Sequence, residues 1–207
     1  YHLKATFNLN SERFGSLDEM KDKKVRRDRI IKEDIQRIYQ AHEVAAHTCS
    51  HTNLTTLSEA EIIQEVNDDV KTLSALIGHP VVGLAYPCGG INFDERVMAV
   101  IKNHTSIQYA RTTISTGKFD LPSHILSVNP SVYLRDEQLF EIVKGFLNLE
   151  TSTPKILYIW GHGYELDFTD EFISWDVFEK LCQLVANREE IFYGTNQEIF
   201  SAIGLIK

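Results

Sequence analysis

The apolar positions of this chain follow two rhythms. Short runs rich in β-branched and aromatic residues at 4–9, 43–47, 81–86, 107–112 and 156–160 predict strands. Between them, apolar residues at helical spacing predict amphipathic helices. Ile31, Ile35 and Ile38 mark one over about 31–41. Ile62, Val66, Val70 and Leu73 mark a longer one, opened by Ser58 with Glu61 as a capping box and closed by Gly78 and Pro80. Further helices are predicted at about 94–103, 136–149, 175–187 and 195–203, with a short strand at 191–193. Residues 11–29 are polar, include the run Lys21-Asp22-Lys23-Lys24-Val25-Arg26-Arg27, and predict a solvated loop. Strands alternating with helices imply βα units and a mostly parallel sheet or barrel, read here as one domain over 1–207. In such folds function sits at the carboxyl ends of the strands.

Three predicted strand ends carry unusual residues. The first is His47-Thr48-Cys49-Ser50-His51. Two imidazoles at this spacing can converge on one divalent ion of the zinc kind, although the same pair also occurs as plain loop histidines. Cys49 between them is a soft donor or a small packed thiol. The second is Ala85-Tyr86-Pro87-Cys88-Gly89-Gly90, a tight turn that exposes backbone amides to a developing oxyanion, or simply turns the chain. The third is Trp160-Gly161-His162-Gly163, where flanking glycines leave an imidazole accessible for proton transfer. Together these make up most of a hydrolytic site. A third protein ligand and a base are lacking, since catalytic zinc takes three protein ligands and an open position. His2, His42, His79, His104 and His124 stand singly and read as surface residues.

Composition narrows the partners. Among 207 residues, 21 are basic and 29 acidic, a net charge of −8. Nucleic acid and anionic membranes reward clustered cations, so neither is an expected partner. No apolar run reaches membrane-spanning length. Three cysteines without paired spacing argue against a disulfide framework and lean towards a reducing, cytoplasmic compartment. The first residue is Tyr1 and no leader is visible, so the start reads as trimmed.

The order of these motifs resembles the polysaccharide deacetylase family (the NodB homology domain) over nearly the whole chain. Lys4-Ala5-Thr6-Phe7 matches an early strand, and His47-Thr48-Cys49-Ser50-His51 matches H-[ST]-x-x-H. Ala85-Tyr86-Pro87-Cys88 matches R-x-P-[YF] in part, with Ala85 in place of the arginine. Trp160-Gly161-His162 matches the late L-x-H. The resemblance implies an irregular seven-strand (β/α) barrel and a zinc-type hydrolase that deacetylates an N-acetylated sugar oligomer or polymer. It implies that His47 and His51 are metal ligands, that His162 is the general acid, and that the Cys88 backbone amide is the oxyanion donor. Asp120, in Phe119-Asp120-Leu121-Pro122, lies near where the family has a carboxylate that tunes this histidine; Glu165 competes for that place. The family's opening Asp-Asp motif, source of the base and the third ligand, has no counterpart here. Asp68-Asp69 lies in the wrong element for it. The barrel is therefore expected to lack its first strand, metal affinity to be weak, and this stretch alone to have little activity. The rival readings are a non-catalytic carbohydrate- or partner-binding domain on a decayed scaffold, and a small-amide hydrolase of the same fold.

Overall fold

The computed structural model describes residues 1–20, 25–168 and 172–207. Four parallel strands form the main wall: β1 (Thr6–Leu9), β4 (Glu43–Ala46), β5 (Gly83–Ala85) and β6 (Tyr109–Arg111), in the order β1-β4-β5-β6. Register is fixed by Thr6 against Glu43, Ala46 against Leu84 and Ala85 against Arg111. Every residue of β4, β5 and β6 is buried, as expected of parallel strands covered on both faces. Helix α2 (Glu59–Ile77) starts at the Ser58–Glu61 capping box and ends at Gly78, whose left-handed φ of 80° only glycine adopts without strain. It packs on β4 and on α3 (Glu95–His104), and the core between them is built on Val44, Leu54, Ile62, Val66, Leu73 and Leu84.

The wall continues less regularly. Val128 pairs with β6 through Ala110 and Thr112. Beyond it, β7 (Val132–Tyr133) pairs in parallel with β8 (Ile159–Trp160) over two residues each. Helices α4 (Leu139–Leu147) and α5 (Trp175–Val185) form a second core there around Val132, Leu139, Val143 and Leu181. Helix α6 (Asn196–Ala202) closes the amino ends of the strands: its Asn196 N–H donates to Thr6 Oγ1 and its Gln197 N–H to Glu43 Oε2. The result is an α/β fold with an incomplete barrel, in which β1 and β8 have no strand between them among the described residues.

Three expectations need correction. Residues 11–29 are not a plain loop, for β2 (Leu17–Met20) and β3 (Val25–Asp28) pair antiparallel as a hairpin. Its alternation is read in charge: Asp18, Arg27 and Arg29 are half-buried while Glu19, Arg26 and Asp28 face out. Lys21-Asp22-Lys23-Lys24 of the basic run lies outside the described residues. The strand over 156–160 shrinks to Ile159–Trp160, because β7 offers only two residues to pair with. Residues 191–193 form no strand, having no neighbour to bond. Helix α1 (Lys32–Tyr39) does form, although of its three isoleucine markers only Ile35 is buried. Among the described residues no helix is long and apolar enough to cross a membrane.

Candidate functional site

The chain leaves β4 at His47 and turns at once. Thr48 and His51 both take left-handed φ angles, 65° and 68°, which cost a non-glycine residue about 1–2 kcal/mol each. Side chains from below hold the loop in that shape. Asp69 on α2, fully buried, accepts the backbone N–H groups of His47 (2.9 Å) and Ser11 (2.8 Å). Glu65, one turn earlier, accepts from the Ser50 N–H and hydroxyl, and Asn10 donates to the carbonyls of His47 and Thr48. Burial drives the Asp69 carboxyl up to about 6 in spite of its two backbone donors.

This cradle presents two neutral imidazoles, with ring centroids 4.8 Å apart and planes nearly perpendicular. His47 Nδ1 lies 2.7 Å from the Ala85 carbonyl oxygen, which assigns the proton to Nδ1 and leaves Nε2 with its lone pair. Burial first, and then the neighbouring His51, push His47 down to about 3. His51 is also lowered, by burial and then by the charges of Arg29 and Arg13.

The β5 strand ends beside them. Cys88 sits at φ 67°, its Sγ 4.0 Å from His51 Nδ1. Asn92 pins the turn by donating to the carbonyls of Tyr86, Pro87 and Cys88. The Cys88 N–H itself donates to no acceptor among the described residues. One strand over, the Arg111 guanidinium is 7% exposed and stacks on the Trp160 ring at 4.7 Å. Its Nη1 donates to the Thr112 carbonyl oxygen, and no carboxylate pairs with it among the described residues.

Trp160 leads through Gly161 to His162. A Cβ at Gly161 would come within 2.5 Å of the Leu134 side chain, so only glycine lets β8 approach this closely. His162 caps a 3-10 turn, Gly163–Asp167, whose Glu165 accepts the His162 backbone N–H at 3.0 Å. Glu165 Oε1 also lies 3.1 Å from His162 Nδ1, close but misaligned for a hydrogen bond, and accepts from the Tyr133 hydroxyl. Burial raises the Glu165 carboxyl, but these donors outweigh it and leave it below its ordinary value. His162 follows β8 at the same carboxyl end of the strands at which His47 follows β4, and Arg111 of β6 stacks on the adjoining Trp160.

The sequence profile of the polysaccharide deacetylase family matches residues 1–107, which carry the His47–His51 loop and the Cys88 turn. The chain belongs to the polysaccharide deacetylase family. Among solved structures, the deacetylase PplD from Streptococcus pyogenes, in complex with acetate, aligns with 20% identity and a TM-score of 0.52, over 62% of this chain and 52% of its own. A probable polysaccharide deacetylase from Pseudomonas aeruginosa PAO1 aligns with 15% identity and a TM-score of 0.62, over 85% and 65%. BA3943, a CE4 family pseudoenzyme from Bacillus anthracis, aligns with 17% identity and a TM-score of 0.53, over 93% and 53%. At these identities the likeness is one of fold. The deacetylase-family chain spans about half the length of the first of these structures. No curated protein sequence matches it significantly.

The donor set at this deacetylase-family site suits a divalent ion as two of its ligands. Both imidazoles are held neutral, and the Ala85 carbonyl fixes the His47 tautomer in the way outer partners of metal-bound histidines do. Among the described residues no third His, Cys, Asp or Glu joins them in a metal-holding group. Cys49 is packed rather than presented: it is buried, accepts from the Ser11 hydroxyl at 3.4 Å, and burial pushes its thiol up to about 11. Asp120 is a correction. It is exposed and paired with Lys155 at 2.7 Å, and the carboxylate beside His162 is Glu165. The lysine sits where a loose motif alignment could not foresee it. Sequence reasoning also missed Asp69, Asn10, Asn92 and Arg111. Asp69 had a signal, because it follows Ile62 by seven residues on the apolar stripe of its helix.

Proposed function

We propose that this deacetylase-family chain is the catalytic part of a metal-dependent hydrolase that removes acetyl groups from N-acetylated sugars. The observation that carries the reading is the gathering, at one end of the wall, of a neutral histidine pair, a free Cys88 amide and a carboxylate-backed His162. His47 and His51 would hold zinc or a similar divalent ion, which when bound polarises an amide carbonyl and acidifies a water. The Cys88 N–H would receive the oxyanion that forms at the amide carbon. His162 would protonate the leaving amine, with Glu165 accepting its backbone N–H and lying beside its ring. The base and the third ligand belong to the Asp-Asp motif that these 207 residues do not contain.

The test is acetate release from an N-acetylglucosamine oligomer by the whole gene product, with Zn²⁺ supplied. His162→Ala should lower kcat by about 10²–10⁴-fold with little change in KM, because proton donation is needed only in the transition state. His47→Ala should abolish stoichiometric zinc uptake. Turnover indifferent to His162→Ala would remove the acid from the mechanism. Ala85, where the family carries an arginine, favours a second reading, a sugar-binding domain without turnover. That reading expects oligomer binding and no acetate from the whole gene product.

A further inference from the structure

The β2–β3 hairpin lays its inward face against the 3-10 turn Gly163–Asp167 that carries Tyr164 and Glu165. That inward face is basic. Arg13, Arg27 and Arg29 gather there, and Asp18 is the one carboxylate paired with them among the described residues, 2.8 Å from Arg13 and 3.8 Å from Arg27. Each of the three guanidinium groups keeps a buried Nε–H with no acceptor among the described residues. A buried donor left unmade costs about 1–3 kcal/mol, more on a charged group, so three in one place are a demand for an anion. Arg29 feels the crowding directly: burial, then Arg13 and Arg27, lower its guanidinium. Asp18 offsets part of this repulsion, and a further negative group would relieve the rest.

The cluster belongs to the site and not to the outer surface. Arg27 stacks over the Tyr164 ring at 5.4 Å, two residues from His162, and β3 packs on the turn that carries Tyr164 and Glu165. Arg111, stacked on Trp160, adds a further guanidinium, and this one has no carboxylate partner among the described residues. The whole chain carries a net charge of −8, so this concentration of arginine runs against its own composition. A half-buried cluster of three guanidinium groups around one carboxylate keeps an excess of positive charge that attracts an anionic ligand.

We propose that the acetylated sugar taken by this site is acidic, and that Arg13, Arg27 and Arg29 receive a carboxylate or phosphate substituent close to the acetamide. This rests on the deacetylase reading and names the substrate class within it. Guanidinium forks match both anions bidentately, so one chemistry covers both sources. A neutral sugar would still be held by the rest of the site, and charge would set preference.

The test is a binding titration of this chain, which needs no turnover. The probes are a neutral N-acetylglucosamine tetramer, an alternating N-acetylglucosamine–glucuronate tetramer, and the neutral tetramer carrying one 6-phosphate. We expect at least tenfold tighter binding of one acidic probe, and which of the two it is identifies the source. The preference should shrink as salt rises. Arg29→Gln combined with Arg27→Gln should bring acidic and neutral probes within about twofold of each other, with an unchanged urea unfolding midpoint as the check on folding. Arg29→Lys should keep most of the preference. Equal binding of all three probes by the native chain would overturn the charge preference and leave the deacetylase reading standing. A preference untouched by the glutamine variants would overturn the assignment to these arginines. Failure to bind any of the three would sink both readings together.

Discussion

The two histidine-bearing regions of this molecule are held by different physics. His47 and His51 stand on a wall whose strands β4, β5 and β6 are buried throughout, backed by a nineteen-residue helix capped at both ends. Their loop is tied to buried side chains of that helix, Asp69 and Glu65. His162 stands on a two-residue strand whose Ile159 and Trp160 are only half-buried. Its position comes from polar and aromatic neighbours: the Glu165 cap, Tyr133 stacked on Trp160 at 4.5 Å, and Tyr164 stacked on His162 at 5.1 Å. The family profile covers the first region and stops before the second. Under the proposed roles, the metal pair would stand on a rigid platform, whereas the proton donor would be placed by contacts that adjust with the substrate.

That contrast can be broken most visibly in the cores. Leu84→Ala, at a fully buried position of β5, should cost about 2–5 kcal/mol in urea unfolding. Ile159→Ala should cost about 1 kcal/mol, since its side chain buries less to begin with. Equal costs would mean that the second region is as firmly packed as the first. Next in size is a pH effect at Asp69. Its folded value is about 6, against roughly 3.9 when unfolded. Between pH 4 and 6 the folded state keeps a proton that the unfolded chain has released, so stability falls as pH rises. The fall amounts to roughly 3 kcal/mol at most. Measured against Asp69→Asn, the native chain should lose that stability across the same window; a difference curve flat from pH 4 to 6 would contradict the burial argument. Glu165→Gln should lower kcat of the whole gene product about tenfold at unchanged KM, with urea stability moving less than for Leu84→Ala. A stability loss as large as that of Leu84→Ala would make Glu165 a structural acid first. Smallest is the pair of helix caps. Ser58→Ala removes half of a reciprocal box and should cost about 1 kcal/mol, while Ser174→Ala on α5 removes a single bond and should cost a few tenths less. The reverse order would show the second region depending more on its local signals.

What the sequence made legible follows the same division. Helix α2 announced itself through Ile62, Val66, Val70 and Leu73 and through its capping box, because apolar spacing and cap chemistry are local. The strand ends before His47, Pro87 and His162 were legible for the same reason, being apolar runs cut by polar or turn residues. The hairpin was not. Its alternation places Asp18, Arg27 and Arg29 inward, and a pattern written in charge looks like a solvated loop until its neighbours are known. Asp69 was passed over as half of an Asp-Asp pair in the wrong place; its role depends on backbone amides brought to it from residues 11 and 47. Asp120 failed because an alignment counts residues and cannot see that Lys155 reaches it across the fold.

The left-handed turns at Thr48, His51 and Cys88 bear on the history of such a chain. Each conformation would be relaxed by glycine, so at these three positions mutation towards stability and mutation towards a looser site run in the same direction. A lineage released from catalysis would be free to take glycine or asparagine in these turns before its core changed, since relief of backbone strain offsets part of the cost of the change. Comparing residues 48, 51 and 88 across descendants would therefore date the loss of activity in any branch more sensitively than comparing the fold, which outlives the chemistry.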